Sequence, residues 1–487
     1  IRDSVASRGL GDVYKRQVIG FPMKGPNAGT PDMYSLSGEP SVGSFGWAGV
    51  VNDENIHGYR SIAVPGCVAG LAEAHQRFGN LPWSEVVAPA ANIARNGFSP
   101  EWFTLYKLGG LSQMLLRYTE LRETFMPDNQ LPYGGIEAPY ILKQPNLANT
   151  LDSIARDGAN SLYRGELTEN ITRDIQSNGG ILTIQDFDQY KPFYWKDGLE
   201  FKYRGKTIRV PNYACAGITS AMTLKLLNKF DLSSMQHNSI EALHLYISAA
   251  RMAYADRFEY IADPEFADVP WQGLISDTYT DRRSNEIGVN CPSQFNPGNP
   301  WIEEGRDPKF VLESSKPRPD SGTTHLTVVD GEGNAVSITN TIMSGFGSGI
   351  IPKGTGIVMN NGMMWYDPIP GRVNSIAPGK YPLNNMTPAL VLGKDGVEIA
   401  VGASGGRRIT NCVTSLLSKM IDFELNPQEA IDAPRVDCSS TTTDVPIELD
   451  ADVIEGLIAK GHNIRVLGEG FTQTGFCLLY TSDAADE

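Results

Sequence analysis

A glycine followed by two threonines, Gly322-Thr323-Thr324, opens a run in which apolar and polar residues alternate. A threonine hydroxyl is a weak nucleophile unless a base removes its proton, and the α-amino group of the same residue can be that base. Such an amine has a pKa of about 7.7–8.0, which suits general-base work near neutral pH. Thr323 could therefore attack an amide, provided that the chain is first cut before it.

The bond between Gly322 and Thr323 is suited to such a cut. Glycine tolerates the strained backbone that brings a hydroxyl onto the preceding carbonyl. Residues 300–322 carry charge and proline without a sustained period, so we expect an exposed linker that lets the new end withdraw. The alternative is that Gly-Thr-Thr merely begins a polar strand.

Ser404 is a rival nucleophile, because residues 402–406 (GASGG) match the G-x-S-x-G pattern of serine hydrolases. The motif follows an apolar run and precedes a helical segment, which is the context of a nucleophile elbow. In this alternative, a serine esterase, Asp432 or Asp437 would orient the base and His462 would be the base.

The elements that must hold these residues form an early helical part and a later part richer in strand signals. Apolar periodicity predicts helices at 67–78, 84–95, 147–156, 168–178, 219–230, 239–261 and 409–423. Alternation predicts hairpins at 199–210 and 324–339, and strands at 356–359 and 397–401. We therefore expect a layered α/β core whose main strands follow the linker.

Composition excludes several classes of partner. The chain has 487 residues and a net charge of −15, and a field of this sign repels phosphate backbones, so we expect no nucleic-acid partner. No apolar run is long enough for a membrane span. The six cysteines and six histidines lack ligand spacing, which predicts no metal site and no disulfide framework. No cofactor is implied, and the compartment stays open.

The two ends look foreign to the rest of the chain. Residues 7–17 (SRGLGDVYKRQ) and 477–487 (CLLYTSDAADE) resemble translations of a transposase adapter used in DNA library preparation, read in opposite orientations. We therefore expect segments 1–17 and 477–487 to be non-native, with the protein proper spanning about 18–476.

Several ordered motifs resemble the γ-glutamyltranspeptidase family of N-terminal-nucleophile hydrolases. They are VPGCVAGLAEAHQRFGNLPW, TTHLTVVDGEGNAVSITNTI, GIVMNNGMMWYDP, PLNNMTPALVL and VGASGGRRIT. The resemblance covers nearly all of 18–476 and implies an α/β fold, an αββα four-layer sandwich. It implies a proenzyme that cuts itself into a large-subunit region, 18–322, and a small-subunit region, 323–476. The activity implied is acyl transfer from a small-molecule amide, through an acyl-enzyme, to water or an amine.

Carried over onto this sequence, the resemblance assigns catalytic roles to four residues. Thr323 is the nucleophile, and Thr341 is the second threonine that hydrogen-bonds to it. Gly405 and Gly406 supply backbone N–H groups to the oxyanion, a role in which the loss of one donor typically costs about 10²–10³ in rate. The implied cleavage site is Gly322-Thr323.

On the substrate side the sequence departs from the family pattern. The family holds the α-carboxylate of a glutamyl substrate with an arginine and two serines, which align here with Pro22 and with Asn384-Asn385. The Gln and Asp that bind the α-amino group align with Gly362 and Trp365. A site built on charge pairs is weakened severely when the partners are lost.

These departures predict altered acyl specificity, and Met343, at the position of a family asparagine, adds to them. Trp365 and Met343 favour a more apolar acyl pocket, although core packing is the alternative for Trp365. With them, we expect Asn361, Asn384 and Asn385 to bind substrate. A non-catalytic member that keeps only the fold is the remaining alternative.

Overall fold

The computed structural model describes residues 17–40, 47–132, 139–306, 322–394, 396–468 and the backbone of 477–481. The segments 1–17 and 477–487, expected to be foreign, lie mostly outside these residues, and so does most of the expected linker.

Helices form where apolar residues recur at helical spacing, and every helix predicted from the sequence is confirmed to within about two to three residues at each end. The helices are α1 Cys67–Phe78, α2 Trp83–Asn96, α3 Trp102–Gly110, α4 Ser112–Arg117, α5 Thr119–Phe125, α6 Pro145–Asp157, α7 Asn160–Tyr163, α8 Glu166–Ser177, α9 Ile184–Asp188, α10 Gly217–Leu227, α11 Ile240–Tyr260, α12 Trp271–Ile275, α13 Asp277–Ser284, α14 Arg408–Asp422, α15 Pro427–Asp432 and α16 Ala451–Ala459. The shorter helices, α3–α5 among them, were not predicted.

Strands form where apolar and polar residues alternate, and both predicted hairpins are present. The strands are β1 Val18–Gly20, β2 Leu36–Pro40, β3 Ala48–Val50, β4 Phe193–Trp195, β5 Leu199–Tyr203, β6 Lys206–Val210, β7 Thr323–Val329, β8 Ala335–Thr341, β9 Ala389–Leu392, β10 Val397–Ala403, β11 Thr443–Pro446, β12 Ile464–Leu467 and β13 Cys477–Thr481. The strand predicted at 356–359 is absent, and those residues form an irregular segment.

The main sheet draws strands from both halves of the chain, in the order β13-β10-β9-β6-β5. We expected the main strands to follow the linker, and this was wrong for β5 and β6. Strand β6 pairs with β9 antiparallel, with Ile208 opposite Val391. The backbone of β13 pairs with β10, so a strand covers this edge of β10 whatever the origin of its residues.

The β7–β8 hairpin lies on one face of the main sheet. Ser337 Oγ on β8 donates to the Val401 carbonyl of β10 at 3.0 Å. The His325 ring of β7 lies against Gly402, where a Cβ atom would come within 2.0 Å of the ring Cε1. The two sheets approach this closely because Gly402 has no side chain.

Helices cover the other face of the main sheet. Buried side chains of β5, β6, β9 and β10 pack with α10, α11 and α14 in one apolar cluster. Helix α10 is buried on nearly all sides, as expected of a helix that is apolar all round, and α11 buries most of its residues, including the charged Asp256 and Arg257. On the outer face of the hairpin, Asn340 Nδ2 donates to Cys67 Sγ at the start of α1, at 3.2 Å. The layers are therefore helix, sheet, sheet, helix.

The first residues of the expected exposed linker are structured and partly buried. Pro300–Glu304 forms a 3₁₀ turn in which Pro300 and Trp301 are buried. Trp301 packs edge-on against Tyr260 of α11, which anchors the turn to the core. Residues 307–321 lie outside the described part of the chain.

Gly402→Ala should destabilise the fold, because the added methyl group would overlap the His325 ring. Overpacking of this kind costs roughly 1–3 kcal/mol. The control is Gly331→Ala in the β7–β8 turn, where a Cβ atom would have no neighbour within 4 Å. The measurement is urea unfolding of both variants beside the parent chain. Equal losses in the two variants would contradict the contact between hairpin and sheet.

Candidate active site

Thr323 and Thr341 are directly opposite each other at the open end of the hairpin. The antiparallel register of β7 and β8 pairs Thr323 with Thr341. Their hydroxyl oxygens are 2.9 Å apart, which is hydrogen-bond distance. Thr324, the next residue, is exposed on the opposite face of the strand, because successive side chains alternate. The structure therefore separates the two threonines of the Gly-Thr-Thr motif.

The Thr341 hydroxyl is oriented by the backbone that follows it. The Met343 N–H donates to Thr341 Oγ1 at 2.9 Å. A hydroxyl oxygen has two lone pairs and one hydrogen, so Thr341 can still exchange a hydrogen bond with Thr323. The two hydroxyls thus lie where either one can donate a hydrogen bond to the other.

Gly322, which precedes the nucleophile candidate, is held by the same loop. Its N–H donates to the Met343 carbonyl at 2.5 Å, and its carbonyl accepts from the Ile342 N–H at 3.5 Å. A Cβ atom at Gly322 would lie 2.3 Å from the Ser344 carbonyl oxygen. A side chain would therefore displace the bond between Gly322 and Thr323, and glycine is required for steric reasons.

The end of β10 runs toward the two threonines. The Val401 carbonyl accepts from Ser337, which pairs with Thr327, and the next residue, Gly402, lies against His325. Passing from Val401 to Gly402 along β10 therefore corresponds to passing from Thr327 to His325 along β7, toward the Thr323 end of the hairpin. Strand β10 therefore runs toward the end of the hairpin where Thr323 lies, and the chain continues from Ala403 into Gly405 and Gly406.

Gly405 and Gly406 follow directly and form the turn into α14. Their φ angles are 134° and 61°, in a region that side chains other than glycine rarely adopt. Both glycines are buried. A bare backbone at the start of a helix can present N–H groups to a developing anion.

Arg407 anchors this turn to α11. Its guanidinium lies 4.6 Å from the centre of the Phe258 ring, within range of a cation–π contact. The Tyr254 hydroxyl donates to the Arg407 carbonyl at 3.0 Å. The position of the glycine pair is thus fixed by the longest helix of the core.

The family profile described as Gamma-glutamyltranspeptidase matches residues 14–478. The chain belongs to the γ-glutamyltranspeptidase family. The acylase ACY 1 proenzyme of Pseudomonas sp. (strain V22) is 32% identical over 442 residues, covering 90% of this chain and 75% of the relative. The glutathione hydrolase proenzyme of Escherichia coli (strain K12) is 31% identical over 421 residues, covering 82% and 69%.

Solved structures agree with this assignment. The cephalosporin acylase from Bacillus halodurans superposes with a TM-score of 0.80 at 26% identity, covering 95% of this chain and 80% of that one. The Helicobacter pylori γ-glutamyltranspeptidase gives a TM-score of 0.53 at 27% identity, covering 57% and 78%. The chain therefore has the αββα fold of N-terminal-nucleophile hydrolases. It is an autoprocessing amidohydrolase or acyltransferase.

The γ-glutamyltranspeptidase fold places Met343 and Trp365 together behind the two threonines. Trp365 Nε1 points at Met343 Sδ, and Trp365 is only 1% exposed. The Trp365 carbonyl accepts from Trp47 Nε1 at 3.1 Å and from Asn374 Nδ2 at 2.7 Å. Trp365 is therefore part of the core, as the packing alternative expected, and it also contacts the loop that orients Thr341.

Asn361 is engaged entirely within the protein. Its Oδ1 accepts from the Ser344 N–H at 3.1 Å, while its Nδ2 donates to the Ile56 carbonyl at 2.9 Å and to Ser344 Oγ at 2.8 Å. The residue is fully buried. The structure places Asn361 as a support for the loop after Met343, where we expected a substrate ligand.

Asn384 and Asn385 are both buried but differ in their hydrogen bonds. Asn384 Nδ2 donates to the Ala214 carbonyl at 3.0 Å, and its Oδ1 accepts from the Met386 N–H at 3.1 Å. Asn385 Oδ1 accepts from Arg257 at 3.2 Å, and its Nδ2 has no partner. The two asparagines that align with the family serines therefore differ in their hydrogen bonding.

The rival serine triad is not assembled. His462 Nε2 lies 2.8 Å from His244 Nδ1, so the expected base is paired with another imidazole. Asp437 and Asp432 accept hydrogen bonds from amide side chains instead of orienting that base. The expectation of a serine-hydrolase triad at Ser404 was wrong, because its members bond elsewhere.

His325 is a buried neighbour of the candidate site that the sequence analysis did not name. It lies two residues after Thr323 on the same face of β7, and its Nδ1 is 2.8 Å from Thr339 Oγ1. Its Nε2 is 3.1 Å from Thr327 Oγ1. Strand alternation alone places His325 beside Thr323 in the layer between the sheets and could have identified it.

Within the described part of the chain, no group of His, Cys, Asp or Glu side chains is arranged to hold a metal ion. No helix in that part is long and apolar enough to cross a bilayer.

His325→Gln should reduce the amount by which the free energy of unfolding falls in acid. Burial lowers the pKa of His325 to about 4, against about 6.5 for a free imidazole. Between these pH values His325 is protonated in the unfolded chain but neutral in the folded chain. The free energy of unfolding therefore falls as pH drops from 6.5 to 4. The substitution should reduce this fall by up to roughly 3 kcal/mol. Chemical unfolding at several pH values measures it, and an unchanged pH dependence would contradict the burial of a neutral imidazole.

Proposed function

We propose that this proenzyme cuts its chain between Gly322 and Thr323 and then uses Thr323 to cleave a small-molecule amide. The observation that carries the proposal is the 2.9 Å contact between the Thr323 and Thr341 hydroxyls, at the end of the hairpin toward which β10 delivers Gly405 and Gly406. The products of the cut would be a large subunit, 18–322, and a small subunit, 323–476.

In self-cleavage, the Thr323 hydroxyl oxygen attacks the Gly322 carbonyl carbon and loses its proton, with Thr341 as the neighbouring hydroxyl. The C–N bond between the two residues then breaks, and the nitrogen takes up a proton. Water hydrolyses the resulting ester. This leaves a carboxylate on Gly322 and a free α-amine on Thr323, the base that turnover requires.

In turnover, the freed α-amine accepts the hydroxyl proton as Thr323 attacks the amide carbonyl. The N–H groups of Gly405 and Gly406 stabilise the negative oxygen, and the leaving amine departs with a proton from the α-ammonium. An ester on Thr323 remains. Water, or an acceptor amine, then attacks this ester and restores the hydroxyl.

The two subunits would remain associated after the cut. Strand β6 belongs to the large-subunit region and β9 to the small one, and they pair through three consecutive residues in the main sheet. Helices α10 and α11 of the large-subunit region also pack with α14 of the small one. Cleavage at Gly322 therefore separates the chain without opening the core.

For the acyl group, we propose a donor that differs from a γ-glutamyl amide at the α-amino position. Gly362 and Trp365 offer no side-chain carboxylate or amide to an ammonium group. Both are buried, and Trp365 packs in the same apolar cluster as Met343. Burying a charge without partners is costly. Relatives include both glutathione hydrolase and acylase proenzymes, which supports a family range of acyl groups.

Thr323→Ala should abolish self-cleavage, because it removes the attacking oxygen. Thr324→Ala is the matched control, since Thr324 is exposed on the other face of β7. Intact-mass analysis of the folded chains should show two fragments, with the new terminus at Thr323, for the parent and for Thr324→Ala. Thr323→Ala should remain whole.

Ser404→Ala tests the serine-hydrolase alternative, and this variant should also cut itself between Gly322 and Thr323. A folded parent chain that stays intact, or a Thr323→Ala chain that is cut at the same bond, would contradict the proposal. The first of these outcomes would favour the non-catalytic member of the family.

The preference among acyl donors should reflect the absence of side chains that bind an α-ammonium group. We expect glutaryl-p-nitroanilide, which lacks the α-amino group, to be hydrolysed with kcat/KM at least equal to that of γ-glutamyl-p-nitroanilide. Release of p-nitroaniline by the processed enzyme measures both. A preference for the γ-glutamyl donor of more than about tenfold, or about 1.4 kcal/mol, would contradict the proposed acyl specificity.

A further inference from the structure

We infer that Trp47 is a positioning residue of the active site, which acts through Trp365 on the backbone of Met343. The group that it positions is the Met343 N–H, which donates to Thr341. This inference rests on the proposed function and adds a residue to which no sequence motif assigns a role. Trp47 lies directly before β3 and is only 8% exposed.

Met343 has a backbone conformation that residues other than glycine rarely adopt. Its φ angle is 81°, in the left-handed region, where a residue with a Cβ atom is destabilised. The residue is also buried, with 2% of its surface exposed. A strained conformation of this kind persists only when the surrounding structure holds it in place.

Both polar groups of the Met343 backbone bond to residues of the candidate site. Its N–H donates to Thr341 Oγ1 at 2.9 Å, and its carbonyl accepts from the Gly322 N–H at 2.5 Å. The φ angle describes rotation about the bond that lies between these two groups. A relaxed φ angle would therefore move the N–H relative to the carbonyl and disturb this pair of hydrogen bonds.

Trp365 holds the side chain of Met343. The Nε1–H group of Trp365 points at Met343 Sδ, and both side chains are buried in one apolar cluster. Contacts between a methionine sulfur and an aromatic side chain are favourable. Because its side chain is held in this way, the backbone of Met343 cannot relax without displacing the indole of Trp365.

Trp47 in turn fixes Trp365, from a position 318 residues earlier in the chain. Its Nε1–H donates to the Trp365 carbonyl at 3.1 Å, and the same carbonyl accepts from Asn374 Nδ2 at 2.7 Å. A carbonyl oxygen has two lone pairs, so these two donors saturate it. Loss of the Trp47 donor would leave a buried acceptor with half of its hydrogen bonds, which is costly.

Trp47 also contacts a residue that holds the other half of the candidate site. Its ring meets the Phe258 ring edge-on, with the ring centres 5.7 Å apart. The Phe258 ring lies 4.6 Å from the guanidinium of Arg407, the residue that directly follows the glycine pair. One buried side chain therefore connects the loop that orients Thr341 to the turn proposed to bind the oxyanion.

Trp47→Phe should slow self-cleavage and turnover, because it keeps an aromatic ring but removes the Nε1–H. We expect the rate of self-cleavage and kcat for glutaryl-p-nitroanilide to fall by about tenfold to a hundredfold, as small misplacements of reacting groups do. KM should stay within about threefold of the parent value, because Trp47 acts through other residues. Intact mass, followed over time after cell-free synthesis, measures self-cleavage, and p-nitroaniline release measures turnover.

Trp301→Phe is the matched control. Trp301 is a tryptophan of the same apolar cluster and is 7% exposed, but within the described part of the chain its Nε1–H has no hydrogen-bond partner. The control makes the same change of side chain in the same core, and urea unfolding reports the packing that each variant loses. Self-cleavage, kcat and KM should all stay at the parent values in Trp301→Phe.

A substitution at Met343 separates positioning from packing. Glycine adopts a φ angle of 81° without strain, so a chain with Met343→Gly needs no support from Trp365 or Trp47 at this position. Self-cleavage of the double variant Trp47→Phe/Met343→Gly should therefore proceed within about threefold of the rate of Met343→Gly alone. A loss of packing at Trp47 would instead slow both backgrounds equally.

Trp365→Phe is the second variant and keeps the inference testable if Trp47→Phe does not fold. It removes the Nε1–H that faces Met343 Sδ, while the backbone carbonyl that accepts from Trp47 remains. It should slow self-cleavage as Trp47→Phe does, and Met343→Gly should again remove the effect.

The outcomes distinguish this inference from the proposed function. A parent chain that neither cuts itself nor hydrolyses the donor contradicts the proposed function. A parent that cuts itself, while Trp47→Phe and Trp365→Phe do so within about threefold of its rate, overturns the positioning role. Equal slowing by Trp47→Phe and Trp301→Phe overturns it as well and assigns Trp47 to general packing, and so does a defect that Met343→Gly leaves in place.

Discussion

The close approach of the β7–β8 hairpin to β10 is the constraint on which the active site depends. It is possible because Gly402 leaves room for the His325 ring. With that contact made, β10 runs toward the Thr323 end of the hairpin and continues into the turn at Gly405. The layer between the two sheets contains paired polar groups: His325 is held by Thr339 and Thr327, and Ser337 bonds to the Val401 carbonyl.

The hairpin was readable from the sequence because its contacts are local. Strand alternation places Thr323 on one face, and the turn at 330–333 sets the register that brings Thr341 opposite, 18 positions along the chain. Family motifs then supplied the chemical roles. The helices were readable for the same reason, since their apolar periodicity is a local signal.

The rest depended on contacts between distant segments. Nothing in the local pattern of 199–210 shows that β6 pairs with β9, almost 200 positions later. Asn384 and Asn385 are the same residue type at neighbouring positions, and only the carbonyl of Ala214 and the guanidinium of Arg257 make one structural and leave the other with a free donor. The hydrogen bonds of Asn361 could not be predicted from the sequence either, because its partners at Ile56 and Ser344 are set by the fold.

The G-x-S-x-G motif shows that glycines required by packing and backbone conformation can match the sequence signature of a serine hydrolase. Gly402 is needed because the His325 ring occupies the place of its side chain, and Gly405 and Gly406 are needed because their φ angles of 134° and 61° exclude ordinary side chains. Each of these glycines is therefore required for a structural reason that does not involve Ser404. The serine completes the pattern only because it lies between the contact that joins the sheets and the turn proposed to bind the oxyanion. In this protein the motif arises because β10 passes closely under the β7–β8 hairpin and the chain then turns sharply into α14.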